Sequence, residues 1–198
     1  MKNITLITLF MGACAFITSA YAEISGNIGV TSNYLWRGQT QTEDGSAVSG
    51  GLDYAGEGFY AGVWASNTSF ANDAGESEIG EEFDFYIGTE INGIDVGYIS
   101  YMYPTQGGDF EEFYAGTSFS GVDVFLAYNP DTEDTYYALS YGIDLTETVS
   151  ATFTYGDSDS DADDSHYQVD IAYEDFTLTV SDLEGEDYKV VASYGWSF

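Results

Sequence analysis

From Glu23 onward, apolar and polar residues alternate at period two with no amphipathic helical period, the signature of strands that bury or face one apolar side. In the first segment Ile24, Gly26, Ile28, Val30, Tyr34 and Trp36 share one face, and Ser25, Asn27, Thr31, Asn33 and Arg37 share the other. The pattern returns over Ala47–Tyr54, Phe59–Ser66, Glu82–Ile91, Ile94–Tyr103, Phe110–Phe119 and Val122–Tyr128. It continues over Thr135–Leu145, Val149–Tyr155, Ser165–Tyr173, Phe176–Ser181 and Tyr188–Phe198, which makes about twelve strands in all. Connections alternate too. Short turns such as Asn92-Gly93, Ser120-Gly121 and Glu174-Asp175 follow even strands, and longer, acid-rich loops follow odd ones. This predicts an all-β chain: a single antiparallel up-and-down transmembrane β-barrel with short periplasmic turns and longer acidic extracellular loops.

The apolar face places its aromatic residues at both ends and its aliphatic residues between them, as a lipid-facing wall does at its two water interfaces. Tyr34, Trp36, Phe83, Tyr128, Tyr137, Tyr155, Tyr167 and Tyr188 fall near the long-loop ends. Tyr54, Phe119, Tyr173, Phe176, Trp196 and Phe198 fall near the short turns, with Val96, Leu139, Val169, Ile171, Leu178 and Val190 mid-wall. A soluble sandwich would not need this segregation. The last strand alternates through Tyr194 and Trp196 and stops on Phe198, which resembles the terminal-strand signal read by the barrel-assembly machinery of the bacterial outer membrane.

The N-terminus points to export. Lys2, the apolar stretch Ile4 to Ile17 and the small-x-small site Ala20-Tyr21-Ala22 read as a secretory signal over residues 1–22, leaving a barrel over 23–198. The only cysteine, Cys14, leaves with it, so no disulfide framework is expected. Three basic residues against 34 acids give a net charge of −31, which excludes nucleic acid as a partner.

The polar face carries Arg37, Asp53, Glu82, Asp84, Glu90, Asp95, Glu112, Asp123, Asp144, His166, Asp170 and Lys189, the candidate lining of a lumen. Twelve strands spaced ~4.8 Å and tilted ~40° enclose a Cα diameter of about 24 Å. Such an acidic tube favours small cations over anions. Arg37 and Lys189, on the first and last strands, are expected as neighbours at the closing seam, where they either shape a constriction against Glu82, Asp84 or Glu112 or simply seal the seam. Inward aromatics Tyr60, Trp64, Tyr86, Tyr101, Tyr114 and Tyr136 either form a stacking track for sugar rings or fill the barrel.

Two further features suggest chemistry. Spaced carboxylates at Asp157, Asp159, Asp161 and Asp163 suit weak divalent cation binding, although Ala162 and Gln168 break the EF-hand pattern and a solvated acidic loop explains the run more simply. His166 is the only histidine, but neighbouring Ser165 points to the opposite face, so no nucleophile–base pair forms along the strand and no enzyme is expected.

Thr31-Ser32-Asn33-Tyr34-Leu35-Trp36-Arg37-Gly38-Gln39-Thr40-Gln41, with Gly50-Gly51-Leu52-Asp53-Tyr54 and Gly58 through Asn67, resembles the TorF family of porins. The resemblance implies an outer-membrane channel and brings no catalytic residues. The combined expectation is a porin-like channel for small hydrophilic solutes, cation-preferring, with no cofactor. Its expected surroundings are outer-membrane lipid and lipopolysaccharide, and its sequence leaves the oligomeric state open. The alternative is a closed barrel acting through its acidic loops.

Overall fold

The computed structural model describes residues 22–72, 74–160 and 164–198, so all but the last residue of the expected signal peptide lies outside the described residues. Twelve strands form the wall: β1 (Glu23–Thr31), β4 (Ala47–Gly56), β5 (Phe59–Ala71), β6 (Ser77–Ile91), β7 (Ile94–Met102), β8 (Phe110–Phe119), β9 (Val122–Tyr128), β10 (Thr135–Asp144), β11 (Val149–Ser158), β12 (His166–Tyr173), β13 (Phe176–Leu183) and β14 (Lys189–Ser197). Two short strands, β2 (Leu35–Trp36) and β3 (Gln39–Thr40), form a separate hairpin. Each wall strand pairs antiparallel with its chain neighbour, and β1 closes the barrel on β14 in the register Asn27↔Ser197 to Thr31↔Ser193. Phe198 completes the seam: its N–H donates to Gly26 O and its carbonyl accepts from Gly26 N–H, both at 2.9 Å.

The short turns follow their local chemistry. Asn92-Gly93 and Ser120-Gly121 have positive φ at both residues, the geometry that matches the twist of a two-residue hairpin. Burial is inside-out, as the alternation requires. Val190 is 56% exposed and Leu139 46%, whereas Glu82, Asp84 and His166 are fully buried. The outer surface is therefore an apolar belt, with Phe119, Tyr173, Trp196 and Phe198 exposed at one end and Tyr128, Tyr137, Tyr167 and Tyr188 at the other.

Two expectations are corrected. The connection after the third expected strand is largely strand: β5 and β6 stay paired out to Ala71↔Ser77. Beyond the apolar belt a strand needs no oily face, so its alternation fades while its ladder continues. The first strand is shorter than its pattern. It ends at Thr31, so Tyr34 and Trp36 leave the outer wall. Ser32 N–H donates to Ala192 O at 2.9 Å, Thr31 Oγ1 donates to Asn33 O at 2.8 Å, and the chain turns inward. Alternation shows that one side of a segment is apolar; it does not say whether that side meets lipid or other side chains.

Candidate functional site in the barrel lumen

The segment between β1 and β4 folds into the lumen as the β2–β3 hairpin. Arg37 and Gly38 form its tip with φ of 51° and 81°, and a side chain on Gly38 would meet His166 Cβ at 2.9 Å. A two-residue turn with both φ positive favours glycine at the second position. The sequence signal was present: Arg37-Gly38 is a possible turn between Leu35-Trp36 and Gln39-Thr40, hidden by the longer alternation around it.

Arg37 crosses to β8, nearly opposite β1 in the wall. Its Nη1 and Nη2 donate to Glu112 Oε1 and Oε2 at 2.9 and 2.7 Å, the planar fork-on-fork pairing particular to guanidinium. Tyr101 Oη also donates to Glu112 Oε2, at 3.0 Å. The guanidinium lies 3.9 Å from the centre of the Tyr136 ring and 4.2 Å from that of Trp36, favourable cation–π distances. Trp36 meets Tyr101 and Phe110 edge-on, while Tyr34 packs edge-on against Trp64.

Polar bonds fix the rest of the segment to the rim. Asn33 Nδ2 donates to Asp44 Oδ1 at 2.9 Å, and Ser69 N–H donates to Gln41 O at 2.9 Å. Ser69 and Ser77 hydroxyls donate to Glu43, holding its carboxyl below the usual glutamate range. Lys189 Nζ lies 2.9 Å from Asp44 Oδ1 and 3.9 Å from Glu186 Oε2. Arg37 and Lys189, expected as a pair of neighbours, thus engage different acids, because the hairpin carries Arg37 away from the wall. Both steady the same inward segment.

Around the hairpin every wall strand contributes a buried inward side chain, from Thr31 on β1 through Glu82 on β6 and Tyr136 on β10 to Val191 on β14. Glu82 and Asp84 face inward two residues apart on β6, and Tyr103 Oη donates to Glu82 Oε1 at 2.9 Å. His166 is stacked parallel on Tyr136, with ring centres 6.1 Å apart.

Toward the short turns the lining is wetter. Tyr86 Oη donates to Asp53, Tyr60 Oη reaches both Asp95 oxygens at 2.8 and 2.9 Å, and Glu90 stands opposite Asp95 in the β6–β7 register. Tyr86 and Tyr114 lie over Gly62 and Gly97 on neighbouring strands, so these rings hug the wall. Asp170 accepts from Thr179 Oγ1 at 2.6 Å and Gln168 Nε2 at 2.8 Å. Of the residues expected to act as an assembly signal, Tyr194 is outward-facing and Trp196 packs beside Phe198 at 5.8 Å between ring centres.

The two described candidates in this loop, Asp157 and Asp159, bond different partners. Asp157 Oδ2 accepts from Tyr137 and Tyr155 hydroxyls at 2.7 and 2.8 Å, while Asp159 Oδ1 accepts from Thr135 N–H at 2.5 Å. Asp161 and Asp163 lie outside the described residues. Among the described residues no group of three or more His, Cys, Asp or Glu is arranged to hold a metal.

Fold and lumen together define a closed twelve-stranded barrel with an apolar exterior, an acidic interior and an inward hairpin. The chain belongs to a family described as bacterial protein of unknown function, Gcw_chp, whose model matches residues 16–195. That match leaves the TorF likeness as a resemblance. No curated protein matches the sequence. Among solved structures the chain is similar to a triple mutant of the Rh. blastica porin, at 10% identity and TM-score 0.38, covering 89% of this chain and 99% of that one. Another triple mutant, of Rhodopseudomonas blastica porin, matches at 11% identity and TM-score 0.35, with the same coverage. The strand pairing, not these distant likenesses, establishes the closed barrel.

Proposed function

We propose that the protein is an outer-membrane channel for small hydrophilic solutes, cation-preferring, whose aperture is set by the β2–β3 hairpin. The apolar belt with aromatic ends supports residence in a bilayer, and the long-loop side is read as extracellular. The observation that carries the charge preference is the imbalance of the lumen. Arg37 is engaged by Glu112 and Lys189 by Asp44, while Asp53, Glu90, Asp95, Asp123 and Asp144 line the short-turn half. A low-dielectric tube with excess negative charge concentrates cations and repels phosphate or sulfate, the more so at low salt. The hairpin makes conduction conditional: solutes pass when it shifts.

A second reading is favoured by the buried ring on all twelve strands: a permanently closed barrel that acts through its acidic loops. On either reading the Tyr194, Trp196 and Phe198 strand serves recognition by the assembly machinery. The loop acids then face lipopolysaccharide and hold its bridging divalent cations weakly. Single-channel recording of the refolded chain 23–198 under a KCl gradient tests the proposal. Discrete steps with a cation-selective reversal potential are expected. Anion-selective steps would overturn the lumen reading, and silence from both the folded wild type and a hairpin-destabilised variant would leave the closed barrel.

A further inference from the structure

We propose that Glu82 and Asp84 form a binding site for one divalent cation, enclosed by the hairpin. Both side chains are fully buried. Glu82 Oε2 and both Asp84 oxygens have no hydrogen-bond partner among the described residues. An independent feature points to the same place. The Tyr34 hydroxyl, on a residue only 4% exposed, is aimed at Glu82 and Asp84 and has no hydrogen-bond partner outside that pair among the described residues.

Two carboxylates in a site that water does not reach stay ionised together only beside a counter-charge, because burial strips the hydration that would stabilise them. The lumen bases do not provide it: Arg37 is taken by Glu112 in a bidentate pair, and Lys189 by Asp44 at the rim. The vacant donors are all oxygen, and the pair carries two negative charges when ionised. Hard oxygen donors of that total charge suit a calcium- or magnesium-class ion rather than a soft metal. The wall supplies the carboxylates and the inward segment supplies Tyr34, so an ion bound here favours the closed hairpin, and the closed hairpin favours the ion. The site deepens the reading of a cation-preferring lumen and rests on it for its role, but its binding is measurable without conduction.

The test uses the refolded 23–198 barrel in detergent, with TbCl3 as the probe and CaCl2 as competitor. Trp64, which is opposite Asp84 in the β5–β6 register, and Tyr34 serve as antennae for sensitised terbium emission. One saturable component, displaced by Ca2+, is expected in the wild type. Glu82→Gln/Asp84→Asn should weaken it by more than about tenfold, and Tyr34→Phe by several-fold, as loss of ligands or of their supporting groups does. Both substitutions remove charge or a hydroxyl from a dry site and preserve side-chain shape, so folding should survive, and heat-modified gel migration checks it. Equal Ca2+-displaceable emission from wild type and the double variant would place the ions at the rim and overturn the site. So would absence of this component together with a thermal midpoint that follows pH but ignores Ca2+, the behaviour of a pair that holds a proton instead. A silent bilayer recording with intact, Glu82/Asp84-dependent terbium binding would reject conduction and leave the site standing.

Discussion

Replacing Arg37 by alanine should release the hairpin, and the size of the effect follows from its contacts. The guanidinium makes two hydrogen bonds of 2.9 and 2.7 Å to Glu112, with the two side chains only 13% and 4% exposed. Removing one partner of a buried pair costs about 3–5 kcal/mol, because the other charge stays behind. Tyr101 still donates to Glu112 at 3.0 Å, which argues for the lower end of that range. Loss of stacking on Tyr136 and Trp36 adds about 1 kcal/mol. A total near 4 kcal/mol shifts the ratio of closed to displaced hairpin by roughly a thousandfold, at about 1.4 kcal/mol per decade. Open probability in a planar bilayer reads the shift directly, and protease access to the segment between β1 and β4 reads it without conduction. Replacing both partners, Arg37→Met with Glu112→Leu, should restore most of the closure, since apolar substitution of a buried pair is often near neutral. An Arg37→Ala barrel with wild-type open probability and wild-type protease resistance would refute the idea that this pair holds the hairpin in place.

Gly38→Val should act in the same direction as Arg37→Ala, because φ of 81° disfavours a branched residue and its Cβ would approach His166; bilayer recording again measures it. Glu43 gives a pH dependence whose sign is fixed. Its carboxyl is held below the usual range by the Ser69 and Ser77 hydroxyls, so this anchor is present above the ordinary glutamate value and is lost as pH falls through the lowered one. Hydrogen exchange at the tip of the β5–β6 hairpin should accelerate over that acid window in the wild type, and Glu43→Gln should flatten the change. Leu139→Arg, on the outer wall, should destabilise the barrel in lipid by about 2–4 kcal/mol, whereas Ser140→Arg, facing inward, should cost much less. Equal losses in urea unfolding from lipid vesicles would contradict the assignment of faces. Deleting Phe198 should slow folding into vesicles, since it removes both hydrogen bonds to Gly26 at the closing seam.

Much of the wall was legible because a strand's period is local. Phe110–Phe119 and Val122–Tyr128 match their expected limits, and the Ser120-Gly121 turn between them needs only two residues that accept positive φ. The inward direction of Glu82, Asp84, Glu112 and His166 follows from the same parity once an apolar outer face is recognised. The hairpin was not legible in the same way. Tyr34 and Trp36 resume the alternation of Ile28 and Val30 after one polar position, Ser32, yet they pack on Trp64, Tyr101 and Phe110 inside the barrel. An aromatic ring meets lipid or another ring with similar favour, so period alone does not choose between them.

Alternation and turn chemistry, which act within a few residues, set the wall strands, their antiparallel order and the inward side of Glu82, Asp84 and Glu112. Closure of the barrel is what brings Arg37 to Glu112, 75 residues away, and gathers Glu82, Asp84 and Tyr34 into one dry space. Those meetings depend on how a closed wall brings distant strands face to face across its interior. There, charge pairing and ring packing, not periodicity, select the partners.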